Sequence, residues 1–231
     1  MTDDDPETER AFFGRRKGHP LRARQAELFG TLLPHLALDL GTPPPRNLSA
    51  LFPLPVDETR VEIGFGGAEH LVAQAEAHPR TGFVGCEPFV NGMAKALAAI
   101  DGRKLANIRL HAGDAIDLLD WLPAASIARV DLLYPDPWPK RRHWKRRFVN
   151  ATNIARLARV LRPGGEFRFA TDWANYAEWT LWRLARAREF VWTAERADDW
   201  RQPWPGFTRT RYEAKAIREG RTPCYLIFRR V

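Results

Sequence analysis

The sequence is poor in the residues that staple or metallate a small fold. Its two cysteines, Cys86 and Cys224, stand far apart in 231 residues. Neither they nor the six histidines show metal-ligand spacing, which excludes a disulfide scaffold and a zinc module. Both cysteines are expected to be small buried hydrophobes in a reduced, cytoplasmic chain. No apolar run reaches the roughly eighteen residues of a membrane-spanning helix. The opening "MTDDDPETER" has no apolar stretch of the kind a secretory signal needs. There is no internal repeat.

What the chain has in excess is positive charge, a net +8, and it is clustered. Residues 10–24, 140–147 and 209–221 are rich in Arg and Lys, whereas residues 1–9 are acidic. Three separate basic clusters favour a polyanionic partner, most often nucleic acid, over a scattered solvated surface. The length suits one domain with a real core. Three parts are expected. Residues 1–9 form a disordered acidic tail. Residues 10–57 form a basic N-terminal segment, with a helix around 25–38 and an extended proline-rich connector at 41–55. Residues 58–231 form the main domain.

In that domain the patterns of strand and helix alternate. Strands are predicted at 59–65, 81–87, 107–114, 128–136, 166–172 and 222–230. Helices are predicted over 68–78, 89–100, 115–121, 148–161 and 173–188. This is an α/β, Rossmann-like, doubly wound and mostly parallel sheet with right-handed crossovers. Such sheets bind ligands at the carboxyl ends of their strands, where the strand order switches.

Acids stand at those ends. The first, "VEIGFGGAEHL", supplies Glu62 and a loop in which Gly64 and Gly66 let the backbone approach a ligand. It is not a clean G-x-G-x-x-G, because Glu69 occupies the last position. Glu62 and Glu69 would also oppose a pyrophosphate. The second strand ends in Glu87, about twenty residues beyond the glycine loop, where an acid hydrogen-bonds ribose hydroxyls. The third ends at Asp114, which could equally cap the next helix. A cofactor with a ribose, an adenine, a positive charge and no phosphate suits these acids. S-adenosylmethionine has all of these features, so a class I methyltransferase is favoured over a dehydrogenase.

The fourth strand end is "YPDPWPKRRHWKRRF", residues 134–148. Asp136 would face the methyl acceptor, and three prolines stiffen the turn. Trp138 offers a face on which a base could stack, worth about 1–3 kcal/mol. The run Lys140 to Arg147 supplies charge for a phosphate backbone. A base on a polyanion needs both halves.

At this point the chain resembles the bacterial tRNA (guanine-N7)-methyltransferases. The resemblance rests on "EIGFGGAEHL" (62–71), "GCEPFVNGMAKAL" (85–97), "GDAIDLL" (113–119), "LYPDPWPKRRHWKRRF" (133–148), "LRPGGEFRFATDW" (161–173) and "TRTRYEAKAIREG" (208–220). It implies the class I S-adenosylmethionine-dependent fold and methylation of guanine N7 in the variable loop of tRNA. It implies a cytoplasmic enzyme with tRNA as its partner, without a metal, a membrane or an obligate protein partner. By motif position, Glu62, Glu87, Asp114 and Asp136 resemble the cofactor-contacting acids, and Asp136 is also the catalytic candidate. Lys140, Asp172, Thr210, Arg211, Tyr212 and Glu213 resemble the substrate contacts. Arg142, His143, Trp144, Lys145, Arg146 and Arg147 resemble the RNA-binding run. The chain departs from the family at Ala68, where a glycine is common, at Trp144, where an asparagine is common, and at Ala216, where a glycine is usual. Two other functions fit the same residues. One is an RNA methyltransferase acting at another base position, such as an exocyclic amine. The other is a non-catalytic RNA-binding protein on the same fold.

Overall fold

The computed structural model describes residues 13, 14 and 16–231. The acidic tail and the first residues of the basic segment therefore lie outside the described residues. Seven strands form one sheet: β1 (Glu58–Ile63), β2 (Thr81–Cys86), β3 (Ile108–His111), β4 (Ile127–Leu133), β5 (Leu161–Thr171), β6 (Phe190–Trp192) and β7 (Cys224–Arg230). Their order is β3-β2-β1-β4-β5-β7-β6. The first five run parallel, and β7 lies antiparallel to both β5 and β6. The strand order reverses between β1 and β4, as the doubly wound reading requires. β2 and β4 are buried at every position, although β4 carries Arg129 and Asp131, which pair with each other.

Helices cover both faces. α1 (Ala23–Thr31) and α2 (Leu33–Leu36) precede the sheet; α3 (Glu69–Ala77), α4 (Val90–Arg103), α5 (Ala115–Trp121), α6 (Ala151–Val160) and α7 (Ala174–Leu184) follow successive strands. α8 (Asp198–Arg201) and α9 (Arg211–Arg218) lie between β6 and β7. On one face Leu71, Met93 and Leu97 pack with Phe83 and Ile108. On the other, Leu118, Leu157 and Tyr176 pack with Val130 and Phe167. Each fully buried side chain of this size stabilises the fold by about 1.5–3 kcal/mol.

Several expectations are corrected. The single helix at 25–38 is two helices divided at Leu32, with Pro34 in the first turn of the second. β5 begins at Leu161, inside the expected helix stop, because Pro163 forces Arg162 into extended backbone. The short β6, α8 and α9 were not expected. The last two residues of the expected 25–38 helix instead line the free edge of β3: Ala37 bridges Leu110, and the Leu38 amide donates to the Leu110 carbonyl at 2.9 Å. Cys86 is buried as expected, but Cys224 is half-buried. Partial burial pushes its thiol up to about 11.

Candidate active site

A cavity of about 430 Å³ opens over the carboxyl ends of β1, β2 and β4. Its floor is the loop after β1, where Gly64 (φ +69°), Gly66 (φ +56°) and Ala68 (φ +64°) all adopt the left-handed conformation. The Glu87 carboxylate bridges this loop to the loop after β2. Its Oε2 accepts from the Gly66 amide at 2.7 Å, and its Oε1 from the Phe89 amide at 2.9 Å. Burial raises the Glu87 pKa, and the two amides oppose that rise. Asp114 also lines the cavity, while its Oδ1 caps α5 by accepting from the Ile116 amide at 3.0 Å. The cap reading of Asp114 thus holds, and its place in the lining leaves the cofactor reading compatible with it.

Glu62 is placed elsewhere. It does not line the cavity. It stands in register with Asp131 across β1 and β4, and its Oε2 lies 2.7 Å from His70 Nδ1 on α3. Burial raises the Glu62 pKa, and His70 opposes the rise. Arg129 neutralises the neighbouring Asp131 at 2.8 Å and donates to Gln74 at 2.9 Å. This buried network joins the sheet to α3.

The loop after β4 carries two strained residues, Tyr134 (φ +51°) and Trp138 (φ +46°). A left-handed non-glycine residue costs about 1–2 kcal/mol, so the surroundings must hold both in place. Pro135, Pro137 and Pro139 offer no amide hydrogens for that purpose. Between the two strained residues Asp136 reaches the cavity mouth. It has no hydrogen-bond partner among the described residues, and partial burial raises its pKa. Trp138 is half-buried. The Arg146 guanidinium lies 4.9 Å from its ring centroid and 4.9 Å from that of Phe13.

The basic run forms a short 3-10 turn, Arg141–Arg146. Lys140, Arg142 and Lys145 are exposed on it, and Lys145 and Arg146 edge the cavity. The N-terminal segment reaches the same rim through Phe13 and Gly14. It is latched to α4 by Asn91, whose Oδ1 accepts from the Gly18 amide at 2.7 Å and whose Nδ2 donates to the His19 carbonyl at 2.8 Å. Two residues of the run do not face outward. Arg147 is 2% exposed, which corrects its expected place among the RNA contacts. Trp144 packs edge-on against Trp179 at 5.6 Å, with the Arg141 and Arg147 guanidinium groups 6.0 and 4.8 Å from its ring centroid. It offers no open face to a base.

Of the C-terminal substrate candidates, Tyr212 alone lines the cavity. Thr210 caps α9 by accepting from the Glu213 amide at 3.2 Å. Glu213 is fully buried and accepts from the Tyr225 hydroxyl at 2.7 Å. Arg211 is paired with Glu69 of α3. Asp172, at the end of β5, is held by Arg221 at 2.5 Å and does not line the cavity. The sequence reading missed Phe13, Phe89, Ile116, Tyr134 and Asn153 of the lining. It also missed Gly92, whose missing side chain admits the glycine loop. The Thr210–Glu213 spacing is a helix-start signal that could have revealed α9.

Three carboxylates, Glu87, Asp114 and Asp136, thus line the cavity beside apolar walls, and Lys145, Arg146 and Arg147 line it as well. The carboxylate side of this set suits a cationic, ribose-bearing cofactor. Among the described residues no group of His, Cys, Asp and Glu could hold a metal ion, and no helix is long and apolar enough to cross a membrane.

Comparison with known proteins agrees with this geometry. A family model described as "Putative methyltransferase" matches residues 57–226. A tRNA (guanine-N(7)-)-methyltransferase of Rhodopseudomonas palustris (strain BisB18) is 62% identical over 231 residues, covering 99% of this chain and 92% of the relative. A protein of the same name from Bradyrhizobium diazoefficiens is 61% identical over 227 residues, covering 98% of this chain and 96% of the relative. Among solved structures, the 16S rRNA methyltransferase KamB superposes with a TM-score of 0.56 at 17% identity, covering 76% of this chain and 89% of that one. That likeness shows the class I methyltransferase fold. The matched family model and the near full-length relatives together place this chain in the bacterial tRNA (guanine-N7)-methyltransferase family.

Proposed function

We propose that this protein transfers a methyl group from S-adenosylmethionine to N7 of a guanine in the variable loop of tRNA, as a cytoplasmic enzyme. One observation carries the proposal: the lining of one cavity brings the carboxylates Glu87, Asp114 and Asp136 together with the cations Lys145 and Arg146, so it suits a cationic donor beside a polyanion. When bound, S-adenosylmethionine supplies an electrophilic methyl group on a cationic sulfur. Glu87 and Asp114 would hold its ribose and adenine end, with the Gly64–Gly66 loop beneath. Glu62 would act on the site indirectly, through the α3 network that supports this loop. Lys140, Arg142, His143, Lys145 and Arg146 would meet the RNA backbone, with Tyr212 at the rim.

Guanine N7 has an in-plane lone pair and no proton, so no general base is needed. Positioning supplies most of the acceleration. Positive charge builds on the purine as the methyl arrives. Asp136 is the carboxylate at the mouth, placed to stabilise that charge. Asp172 serves Arg221 in this arrangement, which leaves Asp136 as the charge-stabilising candidate.

The experiment is to map the methylated position on tRNA after incubation with labelled cofactor. Label at guanine N7 in the variable loop supports the proposal. Label on an exocyclic amine, or none, would select the other two functions. Asp136→Asn should bind cofactor and tRNA nearly as wild type, while its single-turnover rate falls by about 10²–10³.

A further inference from the structure

Arg147 ends the basic run yet contacts almost no solvent, at 2% exposure. Its guanidinium is enclosed by three rings, with centroids 4.8 Å away at Trp144, 4.7 Å at Tyr176 and 5.2 Å at Trp179. Among the described residues no carboxylate pairs with it. Its Nε donates to the Pro137 carbonyl at 3.0 Å, and its Nη2 donates to Asn175 Oδ1 at 2.6 Å. Pro137 follows Asp136 and precedes the left-handed Trp138. The loop's prolines cannot anchor it through amide hydrogens, so a donor from below must hold the carbonyl side. Arg147 is that donor, and Asn175 and the rings fix its own direction.

We infer that Arg147 is a positioning residue: its guanidinium, clamped by Asn175 and three aromatic rings, holds the Pro137 carbonyl and thereby sets Asp136 at the cavity mouth. It is not a phosphate contact. Lysine cannot replace it. An ammonium lacks the planar fork that serves Pro137 and Asn175 together, and it does not stack on rings as a guanidinium does. Trp144, a departure from the family at this position, supplies one wall of the clamp. The half-buried neighbour Arg146, stacked on Phe13 and Trp138 in the cavity lining, has the complementary job of meeting a phosphate.

The inference rests on the methyl transfer proposed above. A wild-type protein that does not methylate tRNA would overturn that proposal and not this one. The test compares Arg147→Lys with Arg146→Ala in two measurements. One is the salt dependence of tRNA affinity. The other is the single-turnover rate per molecule competent to bind cofactor, a readout that general loss of folded protein does not move. Arg147→Lys should keep the wild-type slope of log K against log salt and lose about tenfold or more in rate. Arg146→Ala should flatten the slope by about one unit. A flattened slope in Arg147→Lys, or a wild-type rate, overturns the inference. Should Arg147→Lys fail to fold, Asn175→Ala removes one side of the clamp from an exposed position. It should slow the single-turnover rate several-fold with an unchanged slope, and a wild-type rate there overturns the inference as well.

Discussion

Gly92, in the first turn of α4, packs so closely on the glycine loop that a Cβ there would stand 2.3 Å from the Gly66 carbonyl oxygen and 3.1 Å from Glu87 Cγ. The obstacle is backbone, which cannot swing aside as a long side chain can. Gly92→Ala should therefore push the loop off the Glu87 carboxylate and break its bond to the Gly66 amide. The cost in stability should be about 1–3 kcal/mol, the usual range for overpacking. Cofactor affinity should fall at least tenfold by calorimetry. Wild-type affinity in this variant would show that the loop does not need its present contact with α4.

Ala68 is the family departure with a visible backbone consequence: it is left-handed, at φ +64°, and 1% exposed. A glycine there would relieve about 1–2 kcal/mol of strain. It would also raise the entropy of the unfolded chain, at about 0.5–1 kcal/mol, and remove a buried methyl worth about 0.8 kcal/mol. These nearly cancel. Ala68→Gly should stay within about 1 kcal/mol of wild type in urea denaturation. Ala68→Val, β-branched in the same conformation, should lose clearly more.

If Asp136 stabilises the developing charge as proposed, the rate should fall as pH falls. Burial raises its pKa above the ordinary 3.8. The folded protein thus keeps this carboxyl protonated to a higher pH than a free aspartate would be. In stability terms its contribution is present below the unfolded pKa and lost as pH rises through the folded one. In catalytic terms the useful charge disappears as pH falls through that raised value. Single-turnover rates should show an acid limb above 3.8 in the wild type, and Asp136→Asn should show none. An identical limb in the variant would assign the titration to another group.

The Asn91 latch should govern the N-terminal segment. Its two hydrogen bonds hold Gly18 and His19 on an exposed surface, each worth about 0.5–1.5 kcal/mol. Asn91→Ala should speed proteolytic cutting within residues 13–22 and leave the thermal midpoint of the sheet nearly unchanged. Equal cutting rates would mean that the Phe13–Arg146 contact is the real anchor.

The parallel strands were legible because β1, β2 and β4 are short, mostly buried segments rich in β-branched and apolar residues that end in glycine, proline or acid. The strand-end acids Glu87, Asp114 and Asp136 were legible for the same reason, since strand ends locate ligands in this fold. Glu62 was misplaced because the alternation along β1 turns it toward His70, and a strand-end position alone does not show which face a residue takes. Arg147 was out of reach in another way. Nothing in "KRRHWKRR" distinguishes the arginine that folds under from those that face out; Trp179 and Asn175, thirty residues on, decide it. β6 has three residues, too few for any period to show.

The last strand to be synthesised is not the last strand of the sheet. β7 lies between β5 and β6, so β6 has no hydrogen-bonded neighbour until the chain's final residues are in place. The cavity mouth likewise draws on Phe13 near one terminus and Tyr212 near the other. A chain that lacks Tyr212 and β7 therefore has an open sheet edge and an unfinished rim. A chain cut short before Cys224 should therefore be degraded by proteases as unfolded rather than persist as a weak enzyme.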